Sequence, residues 1–536
     1  MKATKLELLS ALTDIDPKYL KEFHRFLKPE PKWRIIMKKS VHLTGKVIGA
    51  AAAAVIVLGL IFLPGLWQNN GITQAAAPTE EKPLRICFDL GAAHDEFEGG
   101  VSRQEQYVRT LIHDYCFYSG KTEDGEGMTE EKIQIEVIPS DENKAAERSA
   151  ALQRLRTEIM SGGGPDVYVC ACDGLGERFA VEGSRLFPYV EFAKEDGVFL
   201  PLDDLLEEFQ YCDPERLTKV LLDAGKNQAG EQVLLPIRYT IPVLLYEQSD
   251  LEPVDQSGKT WDDVLYSDDP LLKEQARWAW PLWWIQEESM RRDLHDSALP
   301  CLFPSILNAE SRSLAFTEED LFSLVQKNLP PLQSLLKEDS GLFHEASYFV
   351  RPGSDYGVYL NRTSSIDEGL TLLPMRNQSG GVTAMIHSYG AVNSNTAFPK
   401  EAASFLDFIC RKGIQSDLMG STGMNIFGGV SQSVVGMPVN EEAREPNDNN
   451  YSKATSDEWE KATRQIDTVH FPSAVDTIMN DMALEIGVEL RKSCDPEFEW
   501  NTVYPEHYAN GTISEEKLRE IVQKAYQKMV ELVGEA

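Results

Sequence analysis

Between Lys46 and Glu80 the chain carries no charged side chain. Within that gap Val47–Leu66 is apolar almost throughout: Ala50 to Ala54, then Val55, Ile56, Val57, Leu58, Leu60, Ile61, Phe62 and Leu63. Twenty residues of helix rise about 30 Å, the thickness of a bilayer hydrocarbon core. Residues 47–67 are therefore expected to form a transmembrane helix, with Trp67 as an interfacial aromatic anchor. Lys32, Arg34, Lys38, Lys39 and Lys46 all precede the run, which places the N-terminus in the cytoplasm.

A cleaved signal peptide is the competing reading, since Gln74-Ala75-Ala76-Ala77 offers small residues of the kind signal peptidase accepts. A signal n-region is only a few residues long, however, whereas 46 residues precede this run. An uncleaved anchor is expected, with a single-pass topology in the cell membrane. No Cys closely follows the span, so a lipidated N-terminal Cys is not indicated. The charge is divided across this boundary: residues 1–46 hold 11 Lys/Arg against 5 Asp/Glu, and the other 490 hold 41 against 80. A region that acidic repels nucleic acid and anionic head groups, which excludes a nucleic-acid role for the bulk of the chain. The eight cysteines are dispersed, and Cys170 and Cys172 read as small buried hydrophobes. No Cys/His set has zinc spacing, so neither metal nor cofactor is expected.

Four regions follow: a basic cytoplasmic tail (1–46), the span (47–67), a polar linker (68–82) and an extracellular domain (83–536). The domain opens with a strand at 84–90, a helix through 103–118, a strand at 133–138, a helix from about 143 to 160 and a strand at 166–171. Strand and helix alternate as in a parallel α/β sheet. Later strands are expected at 233–247, 370–374 and 382–386, and helices at 400–411, 475–491 and 514–533. The fold class is α/β, too long for one core.

Six segments of this domain carry a family resemblance. Arg154-Leu-Arg-Thr-Glu-Ile-Met-Ser-Gly-Gly-Gly-Pro-Asp-Val resembles the helix–turn–strand segment of extracellular (family 1) solute-binding proteins of ABC importers. Ile237-Arg-Tyr-Thr-Ile-Pro-Val-Leu-Leu-Tyr246 is similar to that family's first strand crossing between lobes, and Leu372-Leu-Pro-Met to the return. Lys259-Thr-Trp-Asp-Asp-Val, Pro399-Lys-Glu-Ala-Ala-Ser-Phe-Leu-Asp-Phe-Ile and Ala509-Asn-Gly-Thr-Ile-Ser-Glu-Glu resemble later helix starts in the family's order. The chain departs from the family at Glu247-Gln248, where Asn-Lys is common, and has an apolar span in place of a lipobox. The resemblance implies a two-lobe, hinged, periplasmic-binding-protein-like (type II) fold. Its lobe 1 covers about 83–240 and 378–424, and its lobe 2 about 243–372 and 432–536, with crossings near 237–246, 370–380 and 424–433.

The resemblance further implies capture of a small polar solute, with an oligosaccharide the expected class, in an interlobe cleft serving an ABC transporter permease. The candidate ligand-binding residues are Asp173, after the third strand, Tyr239 on the crossing strand, Trp283 in the segment Trp278–Trp284, and Tyr389 between Ser388 and Gly390. Each has a plainer alternative: Asp173 as a helix N-cap before Gly174–Phe179, the aromatics as core. Catalytic motifs are missing: no Gly-x-Ser-x-Gly, His-Glu-x-x-His, Walker loop or dinucleotide Gly-x-Gly-x-x-Gly occurs, so no enzyme is expected. An extracellular hydrolase and a membrane-anchored sensor are the alternatives. The tail bears on the sensor. Leu8–Glu22 has helical apolar spacing and resembles the short segment before the span in membrane proteins of clostridia-like bacteria, including anti-sigma-type regulators, which implies a cytoplasmic partner. Protease added to intact cells is expected to remove the outer domain and spare the tail; protection of the whole chain would refute this topology.

Overall fold

The computed structural model describes residues 82–90, 103–119, 127–139, 144–172, 185–247, 254–278, 299–337, 347–350, 370–417, 437–444, 453–494 and 510–534. The expected tail and span, most of the linker, the 424–433 crossing, Asp173 and Trp283 lie outside these residues. The chain divides into two compact units, Met1–Glu80 and Glu81–Ala536, and every described residue belongs to the second. Among the described residues no helix is long and apolar enough to cross a membrane.

In chain order the principal elements are β1 (Leu84–Asp89), α1 (Arg103–Ser119), β2 (Ile133–Val137), α2 (Ala145–Met160), β3 (Val167–Ala171), β4 (Leu235–Thr240) and β5 (Val243–Glu247). Next come α3 (Trp261–Leu265), α4 (Pro270–Trp278), β6 (Leu307–Asn308), β7 (Ser313–Leu314), α5 (Glu318–Lys337), β8 (Ser347–Val350), β9 (Leu370–Pro374) and β10 (Val382–Val392). The last are α6 (Pro399–Cys410), β11 (Met437–Pro438), α7 (Lys453–Thr463), β12 (Ile466–His470), α8 (Ala474–Cys494) and α9 (Glu515–Gly534). The fold is mixed α/β.

The opening strand–helix alternation forms as its periodicity predicts. β1 pairs in parallel with β2 and β3, Phe88 standing opposite both Val137 and Val169. β1 and β3 are buried nearly throughout, as parallel strands covered on both faces must be. α2 turns Arg148, Leu152 and Leu155 inward at helical spacing and stops at Gly162, whose φ of +80° favours glycine. The Gly-Pro-Asp-Val stretch then opens β3, because Asp166 pins the strand start. Its carboxylate accepts the Arg85 backbone N–H at 2.8 Å and the Thr396 hydroxyl at 2.7 Å.

A seven-stranded sheet runs β11-β4-β10-β3-β1-β2, with β12 also paired to β10; a separate antiparallel sheet runs β8-β5-β9. Ile241-Pro242 carries the chain directly from β4 in the first sheet to β5 in the second, and a turn at 375–381 carries it back from β9 to β10. One hydrophobic core surrounds the first sheet; a second gathers α3, α4, α5, α8 and α9 around Trp261, Leu321, Met479 and Ile521. Residues 437–471 depart from the expected grouping of 432–536 with the second lobe. β11 pairs with β4, β12 pairs with β10, and Trp459 of α7 is buried in the first core. The sequence shift into the second core comes only at Val475, where α8 begins.

The β9–β10 turn is organised by one buried side chain. Asn377 Oδ1 accepts from the Ser379 and Gly381 backbone N–H groups, each at 3.0 Å, and from the Ser379 hydroxyl at 2.7 Å. Its Nδ2 donates to Asp467 Oδ1 at 2.8 Å, tying the turn to β12, while its backbone carbonyl accepts the Trp261 N–H at the start of α3. Gly381 lies so close that a Cβ there would fall 1.9 Å from an Asp467 carboxylate oxygen. Asn377→Ala strands several of these groups, so it should cost about 1–3 kcal/mol of unfolding free energy in denaturant titration. An unchanged midpoint and slope would show that the turn does not depend on this amide.

Candidate functional site

Strand ends converge on the middle of β10. β3 runs antiparallel to it, Ala171 opposite Ser388, while β12 runs parallel, His470 opposite Met385. The carboxyl ends of β3 and β12 therefore meet along one edge of β10 at residues 385–388, and β1 ends beside β3 with Asp89 opposite Cys170. On the other edge the β4 register slips twice, from Ile386 opposite Tyr239 to Ser388 opposite Arg238 and then Tyr389 opposite Pro236. Such irregularities re-aim side chains next to sites, and the carboxyl ends of strands where connectivity reverses are where open α/β sheets take ligands.

Burial sets the electrostatics here. Asp89 is fully buried and accepts Arg148 Nη2 at 2.7 Å and the Leu186 backbone N–H at 2.7 Å; Arg185 lies 3.8 Å away and donates to the Cys172 carbonyl. His387 is 2% exposed and its Nε2 lies 3.0 Å from Thr240 Oγ1. Burial, aided by the nearby Arg238 charge, brings its pKa down to about 3, so the ring is neutral. His387 Nδ1 and Ser388 Oγ are buried with no hydrogen-bond partner among the described residues. Opposite Met385, His470 is set differently. Its Nε2 lies 2.5 Å from Asp476 Oδ1, and Asp476 also accepts the Ser473 N–H and hydroxyl at the start of α8. Burial opposes a charge on His470, but the Asp476 carboxylate outweighs it and raises the pKa.

Of the four sequence candidates, the structure describes two. The Tyr239 hydroxyl accepts Arg444 Nη1 at 2.5 Å and Trp459 Nε1 at 2.9 Å, and pairs with Thr463 Oγ1 at 2.8 Å. Two acceptor positions and one proton are thereby used, and the ring is fully buried against Trp459. Tyr239 is a knot tying β4 to α7 and Arg444, with nothing left for a ligand in this arrangement. Tyr389 is also buried, edge-on to Phe471 at 6.2 Å. Sequence reasoning passed over its neighbours His387 and Ser388, although two polar residues inside an apolar strand were a visible signal. Burial raises the thiols of Cys87, Cys170, Cys212, Cys301 and Cys410, which keeps them protonated and poor nucleophiles. The described residues also line a cavity of about 650 Å³ on the far flank between α1 and α6.

No protein-family model matches the chain, and no curated protein matches it. Among solved structures, a de novo designed cysteine esterase aligns with 12% identity and a TM-score of 0.46, over 85% of this chain and 98% of that one. An extracellular solute-binding protein family 1 member from Alicyclobacillus acidocaldarius aligns with 14% identity and a TM-score of 0.43, over 84% and 99%. The cyclic α-maltosyl-1,6-maltose binding protein from Arthrobacter globiformis aligns with 13% identity and a TM-score of 0.41, over 85% and 99%. Similarity of that order assigns neither ligand nor activity.

The two imidazoles should answer pH in opposite senses. His387 has a lowered pKa, so the unfolded chain takes up a proton at pH 6.5 that the fold refuses until about 3. Stability should fall with pH across that window, by at most about 1.4 kcal/mol per unit from this one group. His470 has a raised pKa, so its contribution is full below 6.5 and fades as pH rises through the higher value. Denaturation of His387→Gln between pH 6.5 and 4 should show a shallower acid loss than the parent. Parallel curves would mean that His387 is charged in the fold.

Proposed function

We propose that residues 83–536 form a two-lobe, type II binding domain that closes on a small polar solute, held outside the cell by the 47–67 span and serving an ABC importer. The observation that carries this reading is the convergence at residues 385–388 of β10. The ends of β1, β3 and β12 gather there, the chain passes between the two sheets at 241–242 and 375–381, and two buried polar groups remain to be satisfied. A neutral imidazole and a hydroxyl suit an uncharged ligand rich in hydroxyls, so a carbohydrate is the solute class we favour. Asp173 and Trp283 remain candidates to approach it from the segments that follow β3 and α4. The reading is of binding without turnover. A sensor coupled through residues 1–46, which carry a net +6, is the second reading, because Leu8–Glu22 has apolar residues at helical spacing.

A thermal-shift screen of the purified chain against mono- and oligosaccharides, amino acids and small peptides tests this. A ligand present at 100 times its dissociation constant should add about 2.7 kcal/mol of stability, with X-ray scattering showing compaction. Ser388→Ala should weaken a sugar hit by about 3–10-fold, one net hydrogen bond. Product released from the hit would favour the hydrolase; stabilisation by no compound in the panel would overturn the reading.

A further inference from the structure

The flank of the first sheet, away from the strand ends, combines features that no part of the solute-binding reading uses. Its groove of about 650 Å³ has a half-buried apolar floor of Met128, Leu205, Phe209 and Phe398. Beside it stands an aromatic ridge at the end of α1: Phe117 is 60% exposed and packs edge-on to Tyr118, itself 44% exposed. The two belong to one surface. Tyr115 lines the groove and lies one helical turn before Tyr118, and both rings pack on Phe408. Arg411 stacks 4.4 Å over Tyr118 and 5.7 Å from Tyr211, and the Tyr211 hydroxyl donates to the Tyr118 carbonyl. Exposed aromatics braced by an arginine are the composition of interface hot spots rather than of an idle surface.

Charge identifies the partner. Seven charged side chains line the groove: Lys400 pairs with Glu208 at 3.0 Å and the buried Asp407 accepts the Gln210, Tyr211 and Cys212 backbone N–H groups, which leaves Lys82 and Lys132 against Glu131 and Glu401 with no ion pair among the described residues. Three positive side chains against four negative ones is close to balance on a chain of net −33. An acidic partner would be repelled by the rest of the surface, and a basic one would have no reason to prefer this nearly balanced groove. A second copy fits both facts, since a two-fold axis brings the lysines of one rim against the glutamates of the other. Ridge and groove on the same face also allow the contact to close on itself as a dimer rather than propagate.

We propose that this flank is the interface of an isologous dimer of the chain, the Phe117–Tyr118 ridge of each copy seated in the groove of the other. Sedimentation of the full chain in mild nonionic detergent should give the mass of two protein chains at micromolar concentration. Phe117→Ser, at a position more than half exposed, should leave the melting temperature unchanged and raise the dimer dissociation constant at least tenfold. Two charge variants complete the test. Lys82→Glu/Lys132→Glu and Glu131→Lys/Glu401→Lys should each be monomeric alone and should pair when mixed. A monomeric parent, variants that remain dimeric, or a mixture that fails to associate would each overturn the proposal.

Discussion

Everything in the described domain hangs on β10. All eleven of its residues are buried, and among the described residues it is the strand that contributes to both cores. In its first half, Val382, Ala384 and Ile386 pack in the first core while Met385 packs in the second: the Thr383 hydroxyl donates to the Cys301 carbonyl at 2.7 Å, and Met385 Sδ sits 3.2 Å from Cys301 Sγ. Its second half is clamped between β3 and β4, where Gly390 leaves room for Leu406 of α6; a Cβ there would come within 2.5 Å of that side chain. A strand with no exposed residue cannot slip register without moving every neighbour. Irregularities at 386–389 are therefore tolerated only because both ends of the strand are fixed, and the polar site sits in the stretch between.

The elements legible in the sequence were those whose information is local. The β1–α1–β2–α2–β3 alternation, the glycine stop after α2 and the long C-terminal helices follow from period, caps and turns. What escaped was pairing between distant segments. β11 is two residues long, and nothing in Met437-Pro438 announces that it will edge β4. β12 reads Ile-Asp-Thr-Val-His, a half-exposed strand equally suited to either sheet, so 437–471 could not be assigned before its partner was known. The site shared that difficulty. Tyr389 stood out as an aromatic between small residues, yet which residues of 386–389 meet the strand ends depends on two register slips that local pattern does not encode. Tyr239 likewise could not be told from a ligand platform until Arg444, Trp459 and Thr463 arrived from more than 200 residues away.

The buried charges near the site are better understood as positioning than as stability. Removing Asp89 and Arg148 from water costs several kcal/mol each, which their 2.7 Å contact roughly repays. What the pair gains is direction. Asp89 ends β1, Arg148 comes from α2, and the Leu186 N–H on the other carboxylate oxygen brings in the segment after β3. Three separate pieces of chain are fixed at the point where the strand ends gather. An apolar replacement could pack as tightly, but it would not specify which loop returns to which strand.

The same logic explains why two histidines within one strand pairing of each other hold opposite protonation preferences. His470 faces a buried carboxylate that is itself anchored by the α8 N-terminus, so a proton on the ring completes a charge pair. His387 faces a hydroxyl and feels the Arg238 charge, so a proton there would be a second buried cation with no counter-ion among its described partners. Neutrality leaves its Nδ1 as a hydrogen-bonding position without net charge. In an otherwise acidic domain, that is the condition under which an uncharged polar solute can be held without first displacing a counter-ion. The His470–Asp476 pair ties β12 to the start of α8, while His387 stays neutral beside Thr240.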